Sequence, residues 1–64
     1  MKIKYDKDAD VVNVIFSNAE IVETDEDKPG IIIDYDKDVN IVELEILNAS
    51  KRIPNAKVIE YEFA

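Results

Sequence analysis

Residues 30–49, GIIIDYDKDVNIVELEILNA, decide the fold of this chain. In residues 42–46, VELEI, apolar side chains alternate with glutamates, which is typical of a strand with one buried face. Residues 31–35, IIIDY, form a second apolar run, and the Asp-rich segment 36–40 between the two runs favours a reversal of the chain. The stretch therefore predicts an antiparallel β-hairpin.

The same hairpin occurs twice in the sequence. Residues 33–38, IDYDKD, align with residues 3–8, IKYDKD, and the two repeat copies cover about residues 2–19 and 32–49. Because the apolar side chains of both copies recur every second residue, we expect two tandem hairpins that share one core. The expected core residues are Ile3, Tyr5, Val12, Val14, Phe16, Ile33, Tyr35, Val42, Leu44 and Ile46.

Three further segments complete the predicted fold. Residues 20–24 are expected to form one short strand, and the acidic run 25–27 a solvated loop. Residues 48–53 favour a single helical turn that Asn48 or Ser50 caps and that ends at Pro54. Residues 57–63 alternate apolar and acidic side chains and predict a C-terminal strand. The fold class is therefore mostly β, in a single small domain of residues 1–64.

A chain of 64 residues has a small core and needs additional stabilisation. Disulfides cannot supply it because the chain has no cysteine, and zinc is equally improbable without cysteine or histidine. Self-association is the remaining common route, and apolar side chains opposite the predicted core offer a surface for it. We therefore expect a homodimer or higher oligomer that uses Val11, Ile15, Ile32 and Ile41.

The charge balance excludes several partners. Eight basic and 15 acidic residues give a net charge of −7, which argues against direct contact with nucleic acid or an anionic membrane. A basic protein partner and simple solubility are both compatible with this charge, and solubility is the more common explanation. No apolar run suits a membrane span or a signal peptide, so a cytoplasmic protein is expected. The abundance of Ile, Val, Glu, Asp and Lys also resembles thermophile composition.

The Asp-rich turns imitate a calcium-binding loop without completing it. Asp6, Asp8 and Asp10 have the spacing that opens an EF-hand loop. Such a loop needs glycine at its sixth position and glutamate at its twelfth, where this chain has Val11 and Ser17. The second copy, at residues 36–40, fails in the same way. We predict hairpin turns, no specific metal site and no cofactor.

The residues available for catalysis are few. Without histidine or cysteine, the acid, base and nucleophile candidates are carboxylates, Lys, Ser and Tyr. Paired carboxylates can hydrolyse glycosides, but a domain of this size has no room for a sugar-binding cleft. Ser17 and Ser50 are interpreted as turn or cap residues, and Tyr5 and Tyr35 as core aromatics. The sequence therefore favours a protein without enzymatic activity.

A series of short motifs occurs in a characteristic order: Tyr5-Asp6, Asp8-Ala9-Asp10, Ser17, Glu23-Thr24, Pro29-Gly30, Asp34-Tyr35-Asp36, Glu45-Ile46-Leu47 and Ala49-Ser50. In this order and spacing the chain resembles the small prokaryotic proteins of domain-of-unknown-function family 2283, from Lys2 to about Ile53. Two residues depart from the family pattern. Val39 stands where glycine is frequent, and Glu43 stands where a small residue is common. Because valine resists a positive φ, we expect Asn40 to adopt it instead.

The resemblance implies little about activity. Family members have no established activity, and some resemble the smaller partner beside a small toxin gene, which makes them candidate antitoxins. We therefore expect a non-enzymatic binding protein, an antitoxin-like partner of a small basic protein, with a self-associating structural domain as the alternative. The residues expected to bind the partner are Glu23, Asp25, Glu26 and Asp27, for steering, and Ile59, Tyr61 and Phe63, for contact.

Overall fold

A computed structural model describes residues 1–64 as one five-stranded antiparallel sheet with a single helical turn. The elements are β1 Lys2–Asp6, β2 Val11–Ile15, β3 Glu23–Lys28, β4 Ile31–Tyr35, β5 Ile41–Leu47 and α1 Ala49–Arg52. Strands contain 44% of the residues and helix 6%, which confirms the predicted mostly β class. The strand order is β1-β2-β5-β4-β3, so the two repeated hairpins join through β2 and β5.

Cross-strand pairing sorts the side chains onto two unlike faces. Tyr5 pairs with Val12, Val12 with Ile46, and Ile46 with Ile31, so one apolar row crosses four strands. A second row on the same side contains Ile3, Val14, Leu44 and Ile33. We call this side the apolar face. By alternation the opposite side, the charged face, carries Lys2, Lys4, Asn13, Glu43 and Glu45 among its side chains.

The predicted core is less buried than the alternation suggests. Val12, Val42 and Ala49 are the three buried residues, and most of the other expected core side chains are half-buried. The core prediction is wrong for Ile3 and Phe16, whose exposed fractions are 40% and 39%. The reason is the architecture, because a single sheet without a second layer leaves its apolar face open.

The helical turn α1 closes one end of the sheet. Ala49 is fully buried, and its amide donates a hydrogen bond to the backbone oxygen of Asp10 at 2.9 Å. Arg52 donates from Nη2 to the backbone oxygen of Pro29, which ties the helix to the β3–β4 turn. Asn48 stands at the N-terminus of the helix with φ 52° and provides no side-chain cap. No helix of the structure has the length and apolar character that crossing a membrane requires.

The prediction of a loop at residues 25–27 is wrong, because these residues lie within β3. β3 pairs with β4 through Glu23 with Tyr35, Thr24 with Asp34 and Asp25 with Ile33. Strand propensity is low in so acidic a segment, but pairing with a neighbouring strand outweighs it. The short strand expected at residues 20–24 therefore begins later, at Glu23, and extends through the acidic run to Lys28.

The C-terminal strand expected at residues 57–63 is absent. These residues have no regular secondary structure, and they are all exposed. The backbone amide of Val58 bonds to the oxygen of Asn55 at 3.3 Å, which is a local turn and not a ladder. Alternation of apolar and charged residues shows that a segment suits a strand, but a strand also needs a neighbour to pair with.

The prediction for the second turn is also wrong. Val39, and not Asn40, adopts the positive φ, at 64°. The carboxylate of Asp36 accepts bonds from the backbone amides of Asp38 and Asn40, each at 2.9 Å. These bonds fix the turn so that the left-handed residue falls at position 39. In the first copy it falls one position later, at Asp10, with φ 57°.

Candidate functional site

The acidic edge is the strand β3, Glu23–Lys28, at one side of the sheet. β3 pairs only with β4, so its outer backbone groups have no strand beside them. All six residues are exposed, and four of them are the predicted steering residues Glu23, Asp25, Glu26 and Asp27. The structure therefore places these carboxylates on an open strand edge and not on a loop.

One of the four carboxylates is already engaged. Glu26 Oε2 accepts a hydrogen bond from the backbone amide of Gly30 at 2.8 Å. Gly30 has φ 78°, a conformation that suits glycine, and the bond stabilises the β3–β4 turn. The pairing register also shifts between Asp25 and Lys28, which is a bulge in the edge. The regular part of the edge is therefore short, and Glu26 supports the turn.

The molecule is flat because it consists of one sheet with no second layer over its apolar face. Its principal extents are 33 × 32 × 19 Å, and its radius of gyration is 12.4 Å, against about 10.7 Å for a compact chain of this length. The accessible surface is 5174 Å², against about 4,200 Å² for a folded monomer of this mass. The excess of about 1,000 Å² exceeds the roughly 800 Å² that one partner buries in a standard interface.

Three of the four residues expected to mediate self-association, Val11, Ile15 and Ile32, lie on the other side of the sheet, whereas Ile41 pairs with Tyr35 beyond a bulge. Val11, Ile15 and Ile32 are half-buried among the side chains of the charged face, and Ile41 is exposed. The continuous apolar surface of the molecule is therefore the face that the sequence assigned to the core. Self-association through these four residues stays a prediction.

The three apolar residues that are predicted to contact the partner lie near the C-terminus and are not part of the acidic edge. Ile59, Tyr61 and Phe63 have exposed fractions of 58%, 79% and 89%, and they belong to no element. We call residues 57–63 the C-terminal tail. Its apolar side chains have no partner within the chain that would bury them, and their contact with another protein stays a prediction.

Asp10 is the centre of a hydrogen-bonded cluster that joins the β1–β2 hairpin to the helix α1. Its Oδ1 accepts bonds from the Tyr5 hydroxyl and the Ser50 amide, each at 2.9 Å. Its Oδ2 accepts a bond from the Ser50 hydroxyl at 2.7 Å. Sequence reasoning interpreted Ser50 as a turn or cap residue and missed this contact, because the partner lies 40 residues away.

The cluster shifts the acidity of two of its members. Hydrogen bonds from Ser50, side chain first and then backbone, hold the pKa of the Asp10 carboxyl below its ordinary value. The hydrogen bond that the Tyr5 hydroxyl donates to Asp10, with a smaller effect of burial, raises the pKa of Tyr5. A tyrosine held in its protonated form is a poor base, so the arrangement suits a structural connection.

Asp36, the counterpart of Asp6 in the second copy, holds a turn. Hydrogen bonds from the backbone amides of Asn40 and Asp38 lower the pKa of the Asp36 carboxyl, with the Asn40 bond the larger cause. In the first copy Asp6 Oδ1 plays this part and accepts bonds from the amides of Asp8 and Ala9, each at 3.1 Å. Ser17 Oγ likewise accepts a bond from the Ala19 amide at 3.3 Å.

The Asp residues that imitated a calcium loop therefore have different tasks. Asp6 binds backbone amides of its turn, while Asp10 points to Tyr5 and Ser50. No group of three or more acidic side chains in the structure is arranged to hold a metal ion. The chemistry that this surface offers is recognition by charge, backbone hydrogen bonds and apolar contact.

Comparison with known proteins identifies a family. No curated protein and no solved structure matches this chain. The family described as a protein of unknown function (DUF2283) matches residues 2–50, which contain all five strands and all four connections between them. This is most of the chain and includes the Tyr5, Asp10 and Ser50 cluster. The chain therefore belongs to the DUF2283 family.

Proposed function

We propose that this chain is a non-enzymatic binding protein whose acidic edge captures an extended basic segment of a partner protein. The observation that supports this function is β3, an edge strand with six exposed residues of which four are acidic. An open strand edge can accept a further strand by main-chain hydrogen bonds, with side chains providing the selection.

Three carboxylates remain for the partner, since Glu26 holds the turn. Glu23 and Asp25 lie two residues apart and share one side of the strand, and Asp27 follows beyond them. Opposite charge accelerates encounter and rejects wrong partners, while backbone pairing beside residues 23–25 and apolar contact provide affinity. Two acidic edges repel each other, so the edge disfavours pairing with itself and admits a basic strand.

An antitoxin role follows from this mode of binding if the partner is a small basic toxin. The net charge of −7 and the position of the carboxylates on an open edge support a basic partner. A self-associating domain with no other partner is the alternative. Such a domain would cover its own strand edges by self-association and would bind no other protein.

Co-expression with the product of the adjacent gene tests the proposal directly. We expect the two proteins to purify together, and we expect the growth arrest caused by the neighbour alone to be relieved. If the neighbour is neither toxic nor bound, the antitoxin role is wrong and the self-associating domain is the better explanation.

Charge variants then test whether the acidic edge of this chain binds the product of the adjacent gene. The variant Glu23→Gln/Asp25→Asn/Asp27→Asn removes three charges from the edge, and we expect its association rate at low salt to fall about tenfold. The salt dependence of the rate should flatten as well. The matched control, Asp8→Asn/Glu20→Gln/Asp38→Asn, removes three exposed charges elsewhere and should associate like the unmodified protein. Equal rates for the two variants would remove the acidic edge from the proposal.

A further inference from the structure

The C-terminal tail suits a strand but has no neighbour in the chain. In residues 57–63 apolar Ile59, Tyr61 and Phe63 alternate with Glu60 and Glu62. As an extended strand, the segment would present the three apolar side chains on one side and both glutamates on the other. All of these side chains are exposed in the structure. The segment would therefore fit beside an edge strand that has apolar side chains on one face and charged side chains on the other.

β1 is such an edge. It pairs only with β2, so its outer backbone groups are open, as those of β3 are. Ile3 and Tyr5 lie on the apolar face, while Lys2 and Lys4 lie on the charged face and are exposed. A strand added beside β1 with Ile59, Tyr61 and Phe63 on the apolar face would place both glutamates beside both lysines.

Charge selects β1 over the other edge. Opposite charges on neighbouring strands are favourable, and like charges directly opposite each other are unfavourable. On β1 the tail glutamates meet Lys2 and Lys4, whereas β3 carries four acidic residues among its six and its one lysine, Lys28, lies beyond the bulge. The match of both charge and face distinguishes β1 from β3 as the place for the tail.

The strand that accepts the tail is in a second copy. Within one chain the tail leaves β1 open, and Tyr61 and Phe63 stay largely exposed. The exposed apolar side chains of the tail belong to an accessible surface that is about 1,000 Å² larger than that of a compact monomer of this mass. We propose that residues 57–63 of each copy add as a sixth strand to the β1 edge of the other copy, which forms a closed, two-fold symmetric dimer.

This dimer is independent of the acidic edge. It uses β1 and the C-terminal tail and leaves β3 free, so a basic partner can bind or fail to bind without affecting it. It also covers an open strand edge that would otherwise pair with other chains. The tail residues Ile59, Tyr61 and Phe63, expected to contact a foreign partner, are thereby assigned to a second copy of this chain.

A charge-exchange experiment tests the proposal without a ligand. In the variant Glu60→Lys/Glu62→Lys, four lysines meet at each junction, and in Lys2→Glu/Lys4→Glu four glutamates meet. We expect each variant alone to dissociate at least about tenfold more readily than the unmodified protein. When the two variants are mixed, each tail again finds an edge of opposite charge. A heterodimer should then form, and native mass spectrometry identifies it by its mass.

Controls and alternatives give distinct results. The variant Lys7→Glu/Lys37→Glu reverses two exposed turn lysines and should dimerise like the unmodified protein. Circular dichroism should show the same sheet in every variant. Monomeric unmodified protein, or variants that each dimerise alone as tightly as the unmodified protein, would overturn the proposal. Monomers that do not combine on mixing would also overturn it, because that result places the tail on its own β1. Assemblies larger than a dimer would indicate an open arrangement of copies and contradict the closed dimer.

Discussion

Val39 shows how one side chain can impose a conformation on another residue. A β-branched residue in the left-handed region is a genuine outlier, and this region costs an ordinary L-residue about 1–2 kcal/mol. The backbone oxygen of Asp36 accepts the Val39 amide at 3.1 Å, and the Asp36 carboxylate binds the amides on both sides of Val39. The turn therefore keeps its shape although the residue at its left-handed position is unsuited to it.

Replacing Val39 with glycine should stabilise the protein. Glycine adopts φ 64° without steric cost, although the unfolded chain gains freedom, so we expect the free energy of unfolding to rise by about 0.5–1 kcal/mol. Urea unfolding followed by circular dichroism measures the change. The control Lys37→Gly, in the same turn but without a positive φ, should lower stability. Equal effects of the two substitutions would show that Val39 is not strained.

Asp10 should make stability depend on pH in acid. Its pKa is lower in the folded chain than the ordinary 3.8, so the folded state favours the charged carboxylate. This contribution is complete above the unfolded pKa and is lost as the pH falls through the lower folded value. We expect Asp10→Asn to reduce stability at neutral pH and to reduce the loss of stability below about pH 4. Urea unfolding between pH 2 and about 7 measures both effects.

At alkaline pH, the contribution of Tyr5 to stability changes with pH in the opposite direction to that of Asp10, which provides a check. The raised pKa of Tyr5 contributes stability below its unfolded value near 10.0, and this contribution disappears as the pH rises through the folded value. Asp10→Asn should weaken that dependence too, because the carboxylate is the main cause of the shift. The control Asp8→Asn removes a carboxylate to which no hydrogen bond is made and should keep both dependences. An unchanged acid profile in Asp10→Asn would contradict this assignment.

Among the secondary-structure elements, the sequence correctly predicts the strands of the two repeated hairpins. It fails for segments in which strand formation depends on a neighbouring strand. Both hairpins and their faces follow from alternation and from turn residues, which act within a few positions. Residues 25–27 form a strand because β4 pairs beside them, although their composition favours a loop. Residues 57–63 have the better strand pattern but no neighbour, and they form none. Propensity is local, whereas a strand depends on a partner that one chain's pattern does not reveal.

For the candidate site too, the sequence predicts residue types but not their spatial arrangement. Charge alone predicts Glu23, Asp25, Glu26 and Asp27 as residues for a basic partner, because a run of carboxylates is visible in any conformation. Their position on an open edge was not predictable, since it depends on the strand order of the whole sheet. The contact of Asp10 with Ser50 was equally hidden, because it joins residues 40 positions apart. The residue types were informative, and their arrangement required the fold.

At the scale of the whole molecule, the open apolar face and the exposed tail limit the stability of one copy. Only three residues are buried, so the hydrophobic stabilisation of a single chain is small. In the proposed dimer a second copy binds the folded chain and not the unfolded chain, so association would raise the apparent stability by mass action. We expect the melting temperature to rise by about 3–5 °C for each tenfold increase in protein concentration.

Calorimetry over a wide concentration range measures this dependence. The variant Glu60→Lys/Glu62→Lys serves as the comparison, since the proposed exchange of tails is weakened in it. Its melting temperature should be lower and nearly independent of concentration. A concentration-independent melting temperature in the unmodified protein would show that one copy is stable alone.

The contact between β2 and β5 has a consequence for the order of folding. Each hairpin closes over a short turn, whereas β2 and β5 pair residues that lie 28 to 36 positions apart, from Ile15 with Glu43 to Val11 with Leu47. Closing a longer loop costs more chain entropy before any contact compensates it, and distant contacts slow folding. We therefore expect the β1–β2 and β4–β5 hairpins to form first, and the pairing of β2 with β5 to limit the rate at which the native sheet forms.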